Sequence, residues 1–101
     1  MAAVEGVLQA LRHVLDPEIG VNVVDLGLVY GLEVHEDDVR VFLTVTTPTC
    51  PLSEYLTEAA ERMIMRRVPG VRSVVVEIVM DPPWEPEMMS DDARQQLGWG
   101  G

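Results

Sequence analysis

Val39-Arg40-Val41-Phe42-Leu43-Thr44-Val45-Thr46-Thr47-Pro48-Thr49-Cys50-Pro51-Leu52 is where the chain changes period. Before this junction Val39, Val41, Leu43 and Val45 alternate with Arg40, Phe42, Thr44 and Thr46, the spacing of a strand with one buried face. After it Leu52, Tyr55, Leu56, Ala59, Ala60, Met63 and Ile64 recur as on an amphipathic helix. Pro51 suits the first helical position, because its missing N–H has no partner there in any case. Cys50, the only cysteine, then stands at or beside the N-cap. Unpaired N–H groups and the helix dipole favour negative charge at that place. A thiol there is expected to lose its proton more easily than a free one. The competing reading is a small buried hydrophobe, since free cysteines are often that.

Outward from the junction the elements follow in order. Residues 3–15 read as a helix with Val4, Val7, Leu8, Leu11 and Leu15 on one face, stopped by Asp16-Pro17. Residues 16–27 show neither period and read as a long loop, the kind often used functionally in a compact domain. In the next segment Leu28, Tyr30, Leu32 and Val34 point one way, and Val29, Gly31, Glu33 and His35 the other. Glu36-Asp37-Asp38 turns the chain into the antiparallel strand Val39 to Thr46. The helix from Pro51 to about Arg67 ends at Pro69-Gly70. A third strand, Ser73 to Met80, buries Val74, Val76, Ile78 and Met80. The strand–helix–strand crossover requires a parallel pairing. Asp81-Pro82-Pro83-Trp84-Glu85-Pro86 is extended, and Ser90 caps a short helix closed by Gly98.

The fold expected is therefore α+β, a two-layer α-β-β-α-β-α domain. Its three-stranded mixed sheet carries both long helices on one face. One domain is expected over residues 1–101, with 81–101 as a Pro- and Trp-rich tail ending in a short helix. Val29, Phe42, Val75 and Val79 make the second sheet face too apolar for water alone. The tail or a second subunit is expected to cover part of it; Trp84, Trp99, Met88 and Met89 either make that cover or form a docking site for a client or a second subunit.

Charge narrows the function. With 17 acidic and 7 basic residues the net charge is −10, and lysine is absent. Nucleic-acid binding needs cations to displace counterions from phosphates, so it is not expected. Arg62, Arg66 and Arg67 are explained by the helix dipole. An RNA-binding reading of the strand and helix order also lacks a Gly-x-x-Gly loop. No apolar run reaches membrane-spanning length and the start has no signal-like stretch, so a cytoplasmic, membrane-free protein is expected. Thiol enzymology needs a base, and neither His13 nor His35 lies at a recognisable spacing from Cys50. Both histidines read as surface residues, and Asp25 as a carboxylate bonding loop N–H groups.

Four motifs in order carry a resemblance. Asp16-Pro17-Glu18-Ile19 with Val24-Asp25-Leu26-Gly27-Leu28-Val29-Tyr30 resembles the opening signature of the SufT/PaaD-like metal–sulfur cluster assembly family. Thr44-Val45-Thr46-Thr47-Pro48-Thr49-Cys50-Pro51 resembles its cysteine motif. Val68-Pro69-Gly70-Val71 and the ending Asp81-Pro82-Pro83-Trp84 with Met88-Met89-Ser90-Asp91-Asp92-Ala93-Arg94 match its later half. The resemblance implies a fold similar to scaffold-type iron–sulfur assembly domains. It also implies a non-enzymatic role in maturing iron–sulfur proteins, in which a cluster is assembled or transferred to client enzymes. The implied functional pocket is Asp16, Glu18, Thr46, Thr47 and Cys50, where threonine hydroxyls can donate to a thiolate or sulfide. The implied partners are the iron–sulfur assembly machinery and client proteins.

Ligand counting limits the mechanism. Stable clusters usually take four thiolates and this chain supplies one, so no permanently bound cofactor is expected. Cys50 is the metal-ligand candidate for a transient iron–sulfur cluster or iron. The completing ligands come from a homodimer, from Asp16 or Glu18, or from a partner's cysteine. A PaaD-like accessory role in a phenylacetyl-CoA oxygenase system is the alternative, although this chain has no cysteine-rich extension.

Overall fold

The computed structural model describes residues 4–46 and 50–98, Cys50 through its backbone. The expectations for Thr47, for the Cys50 side chain and for Trp99 lie outside the described residues. The elements are α1 (Val4–Leu11), β1 (Val29–His35), β2 (Asp38–Leu43), α2 (Cys50–Arg67), β3 (Ser73–Ile78), a 3₁₀ turn (Pro86–Met88) and α3 (Asp91–Leu97). The α-β-β-α-β-α order is the expected one. Strand order is β1-β2-β3, with β1 antiparallel and β3 parallel to β2. The crossover through α2 thus yields the parallel pair that the sequence requires.

Both long helices pack on one sheet face. Val7 and Leu11 of α1 and Leu56, Ala60 and Ile64 of α2 are buried in one cluster with Val39, Val41 and Leu43 of β2. The central strand supplies the fully covered residues, and the edge strands contribute half-buried Leu32, Val34, Val74, Val76 and Ile78. Among the described residues no helix is long and apolar enough to cross a membrane.

Several boundaries differ from the sequence reading, each for a local reason. α1 stops at Leu11, and His13 and Val14 close 3₁₀-type bonds to Ala10 and Leu11. The tightened turn rotates the face, so Val14 is buried while Leu15 is 49% exposed. β2 ends at Leu43 and β3 at Ile78, leaving Met80 exposed. Cys50, not Pro51, is the first residue of α2. In β1 the register shifts between Val29 and Gly31: Val29 pairs with Leu43 but Gly31 with Phe42. This bulge takes Tyr30 out of the alternation. Val29, opposite Leu43, packs against the core and also lines the groove on the second face as expected, while Tyr30 turns to the tail.

The hairpin turn carries no glycine. His35 pairs directly with Asp38, and Glu36 adopts the left-handed conformation itself at φ 58°. At the same end Asp38 accepts from Arg72 Nη2 at 2.6 Å, Arg72 Nε at 3.1 Å and Ser73 Oγ at 2.7 Å. These bonds tie the start of β2 to the start of β3. They hold the Asp38 carboxyl down at about 2 from its ordinary 3.8, with the Arg72 bond the largest cause.

The tail docks on the loop before β1. Trp84 Nε1 donates to Leu26 O at 2.6 Å, and Ser90 N donates to Asp25 O at 2.7 Å. Gly27 (φ 77°) meets the Met88 carbonyl so closely that a Cβ would lie 2.3 Å from its oxygen. Only glycine accepts both that φ and that contact. Met89 and Ala93 complete the docking as buried residues. The tail therefore covers one end of the second sheet face. It leaves an open groove of about 570 Å³ between Phe42 and Val79 on the sheet and Pro82 and Met88 on the tail.

Candidate functional site

The segment Asp16-Pro17-Glu18-Ile19-Gly20-Val21 folds back on itself. Asp16 N donates to Val21 O at 3.0 Å, Gly20 N donates to Asp16 O at 2.7 Å, and Leu15 bridges Asn22. Pro17 has no N–H to satisfy, and Gly20 takes φ 84° to close the turn. The Asp16 side chain is drawn inward and is completely buried. Burying a carboxylate is costly unless its oxygens are bonded. Oδ1 accepts from Glu18 N at 2.8 Å and Ile19 N at 3.3 Å. Oδ2 accepts from Thr46 Oγ1 at 3.0 Å, across 30 positions of sequence.

That last bond joins two motifs distant in sequence. Thr44, buried at 1% exposure, donates its backbone N–H to Leu28 O at 2.8 Å, fixing the chain as it leaves β2. Val45 is buried below it, so Thr46 turns its hydroxyl toward Asp16. Four residues on, Cys50 begins α2, with no acidic residue in the helix's first turn and Arg66 and Arg67 in its last. The Asp16 loop thus abuts the strand end from which the chain passes to Cys50.

Of the five sequence candidates, Asp16 and Thr46 are in direct contact. Glu18 joins them through its backbone N–H, while its side chain is exposed. Thr47 and the Cys50 side chain lie outside the described residues. One expectation changes: Thr46 has a single hydroxyl proton, and it goes to Asp16, so Thr46 is not a donor to sulfur. It can only accept there. Among the described residues no three His, Cys, Asp or Glu side chains gather as a metal site.

A second buttress went unread in the sequence. Asp25 accepts from Arg12 Nη1 at 3.0 Å and Asn22 Nδ2 at 2.8 Å, while Asn22 Oδ1 accepts from Asp25 N at 2.9 Å. Asp25 was expected to bond backbone N–H groups; its carboxylate instead takes two side chains, because Asn22 already satisfies the local N–H. The Asn22–Asp25 spacing of three was the available signal. This clamp holds the outgoing half of the loop whose incoming half carries Asp16. His13 and His35 are exposed.

Comparison with known proteins places these motifs. Residues 5–78 match the family model described as iron–sulfur cluster assembly protein. A relative in Porphyromonas gingivalis, an Fe–S protein maturation auxiliary factor, is 42% identical over 96 residues, covering 94% of this chain and 90% of its own. Another so named in Bacillus subtilis is 37% identical over 95 residues, covering 93% and 92%. Among solved structures, a domain of unknown function from Bacillus anthracis superposes with a TM-score of 0.88 at 33% identity, over 93% of this chain and 90% of that one.

Proposed function

Since this chain belongs to the iron–sulfur cluster assembly protein family, we propose that it matures iron–sulfur proteins, helping to assemble a cluster or hand it to client apoproteins. Its full-length similarity to two maturation auxiliary factors supports a factor rather than a catalyst. Residues 1–101 act as one unit, with the iron or cluster as cargo. Its partners are the assembly machinery and the clients.

The observation that carries the reading is the buried Asp16–Thr46 bond, which joins the Asp-Pro-Glu motif to the cysteine motif. Asp16 caps its own turn through the Glu18 and Ile19 N–H groups, and the Thr46 bond ties that turn to the strand end. It makes sense where the position of the following segment matters. Asp16 and Thr46 are positioning residues in this scheme, and Thr47 lies beside them in sequence. Cys50 is the sulfur ligand, its thiolate favoured by the amino terminus of α2. Glu18, exposed at the loop's edge, is available to a partner or an incoming metal. One thiolate cannot hold a cluster alone, so a client or a second copy completes the site.

Anaerobic reconstitution with ferrous iron and sulfide, in the presence of an apo-client, tests this. Iron and sulfide transferred to the client should depend on Cys50 and fall to the no-factor level in Cys50→Ala. Equal transfer by Cys50→Ala would remove the thiol from the scheme.

A further inference from the structure

The groove between sheet and tail is apolar on its floor and acidic on its rim. Phe42 and Val79 lie outside the main core cluster. With Tyr30, Pro82 and Met88 they line the groove, and the Tyr30 hydroxyl, donating to Pro82 O at 2.7 Å with Met88 Sδ at 3.5 Å, holds its wall in place. Gly31 leaves space for the ring of Phe42, since a Cβ there would lie 3.0 Å from Phe42 Cδ2. Val75, 45% exposed and two residues from Glu77 on the same strand face, extends the apolar surface. Two acids stand at the rim. Asp81 lines the groove, Glu77 pairs in register with Phe42, and both are exposed. The tail carries Asp81, Glu85, Glu87, Asp91 and Asp92 over residues 81–92, followed by Arg94, whose Nη2 donates to Glu87 O at 3.0 Å. Arg40 shares this strand face as the register partner of Val75, two positions from Phe42 toward the other end of β2, so the acidic rim is confined to the Glu77–Asp81 end.

We propose that this groove is the client-docking surface, taking a cationic segment of the client protein with an apolar or aromatic anchor. A groove lined by Phe42, Tyr30 and Met88 suits such an anchor, and Glu77 and Asp81 match a flank of Lys or Arg. Location supports a client over other occupants. The groove lies at the end of the sheet where Leu43 pairs with Val29 and accepts from Val79 N at 2.7 Å, and from there the chain continues to Thr46 and Cys50. A second copy of this chain is a poor occupant, because its charge of −10 brings acid to acid. The proposal rests on the maturation reading and adds the recognition element to it.

The test uses the whole protein and a fluorescein-labelled probe, Lys-Arg-Leu-Trp-Lys-Arg, beside its acid-flanked counterpart Glu-Asp-Leu-Trp-Glu-Asp. The basic probe should bind, weaken as salt rises from about 0.05 to about 0.5 M, and shift the amide signals of Tyr30, Phe42, Val79 and Met88. Glu77→Lys/Asp81→Lys should weaken it by about tenfold or more. Met88→Thr, at a side chain already 37% exposed, should weaken it without a charge change and guards against misfolding of the double variant. No binding, equal binding of the acidic probe, shifts confined to other faces, or unchanged affinity in both variants would each overturn the proposal. Client maturation separates the two readings. Cys50→Ser should keep probe binding while losing maturation, and Glu77→Lys/Asp81→Lys should lose maturation while keeping the Cys50 alkylation rate. Normal maturation by the charge-reversed variant defeats the groove alone; normal maturation by Cys50→Ser defeats the thiol reading alone.

Discussion

Asp16 gives the clearest case of a side chain whose role depends on a partner 30 residues away. Replacing Thr46 by Val keeps the shape but leaves Asp16 Oδ2 buried without its donor. That should cost about 1–3 kcal/mol, read as a lower urea midpoint with an unchanged slope. Thr46→Ser restores the hydroxyl and should recover most of the loss. An unchanged midpoint for Thr46→Val would show that the contact contributes nothing to the fold. The sequence offered these two residues as a pair only through family resemblance. Asp before Pro reads equally well as a surface turn, and Thr at a strand end as a β-branched filler. Periodicity reports which face a residue occupies, not which distant group its side chain meets. For the same reason Arg12, Asn22 and Asp25 looked unrelated, although their bonds form one clamp.

At the level of elements, periodicity served best where a segment is buried on one face. β2, the central strand, reads directly from Val39, Val41 and Leu43. β1 misleads because its bulge at Tyr30 adds a residue, and a one-residue slip exchanges faces. The tail was legible as extended chain plus capped helix, yet not where it would dock. Gly27 decides that. Gly27→Ala must displace the Met88 carbonyl and strain a φ of 77°, a cost of about 1–3 kcal/mol. The Ser90 amide, bonded to Asp25 O, should then exchange with solvent markedly faster. Unaltered Ser90 protection would mean that the tail holds by other contacts. The Asp38–Arg72–Ser73 bonds supply a pH signature. Folding lowers the Asp38 value from 3.8 to about 2, so the stabilisation is present above pH 4 or so and is lost as pH falls through about 2. The pair is exposed, so the effect is small. Across that window wild type should lose more stability than Asp38→Asn in denaturant melts. A difference between the two that stays constant from about pH 5 to about pH 2 would contradict this.

For the molecule as a whole, the two-layer architecture brings Thr46, the Asp16 loop bonded to it and the tail-walled groove to one end of a mixed sheet. The order of elements, the parallel crossover and the helices on one face all follow from amphipathic spacing and from prolines that stop helices. The groove did not, because it depends on where the tail stops covering the sheet. A charge of −10 without any lysine sets the sign of the partners such a surface admits. At the centre of the proposed function is a solitary thiol that works in company. Its most direct test replaces the chromosomal copy by Cys50→Ser and assays iron–sulfur client enzymes, with the purified variant checked by circular dichroism and thermal melting. A normally folded variant that leaves clients as inactive apoprotein is the predicted result. Clients matured to the wild-type level by Cys50→Ser would contradict it.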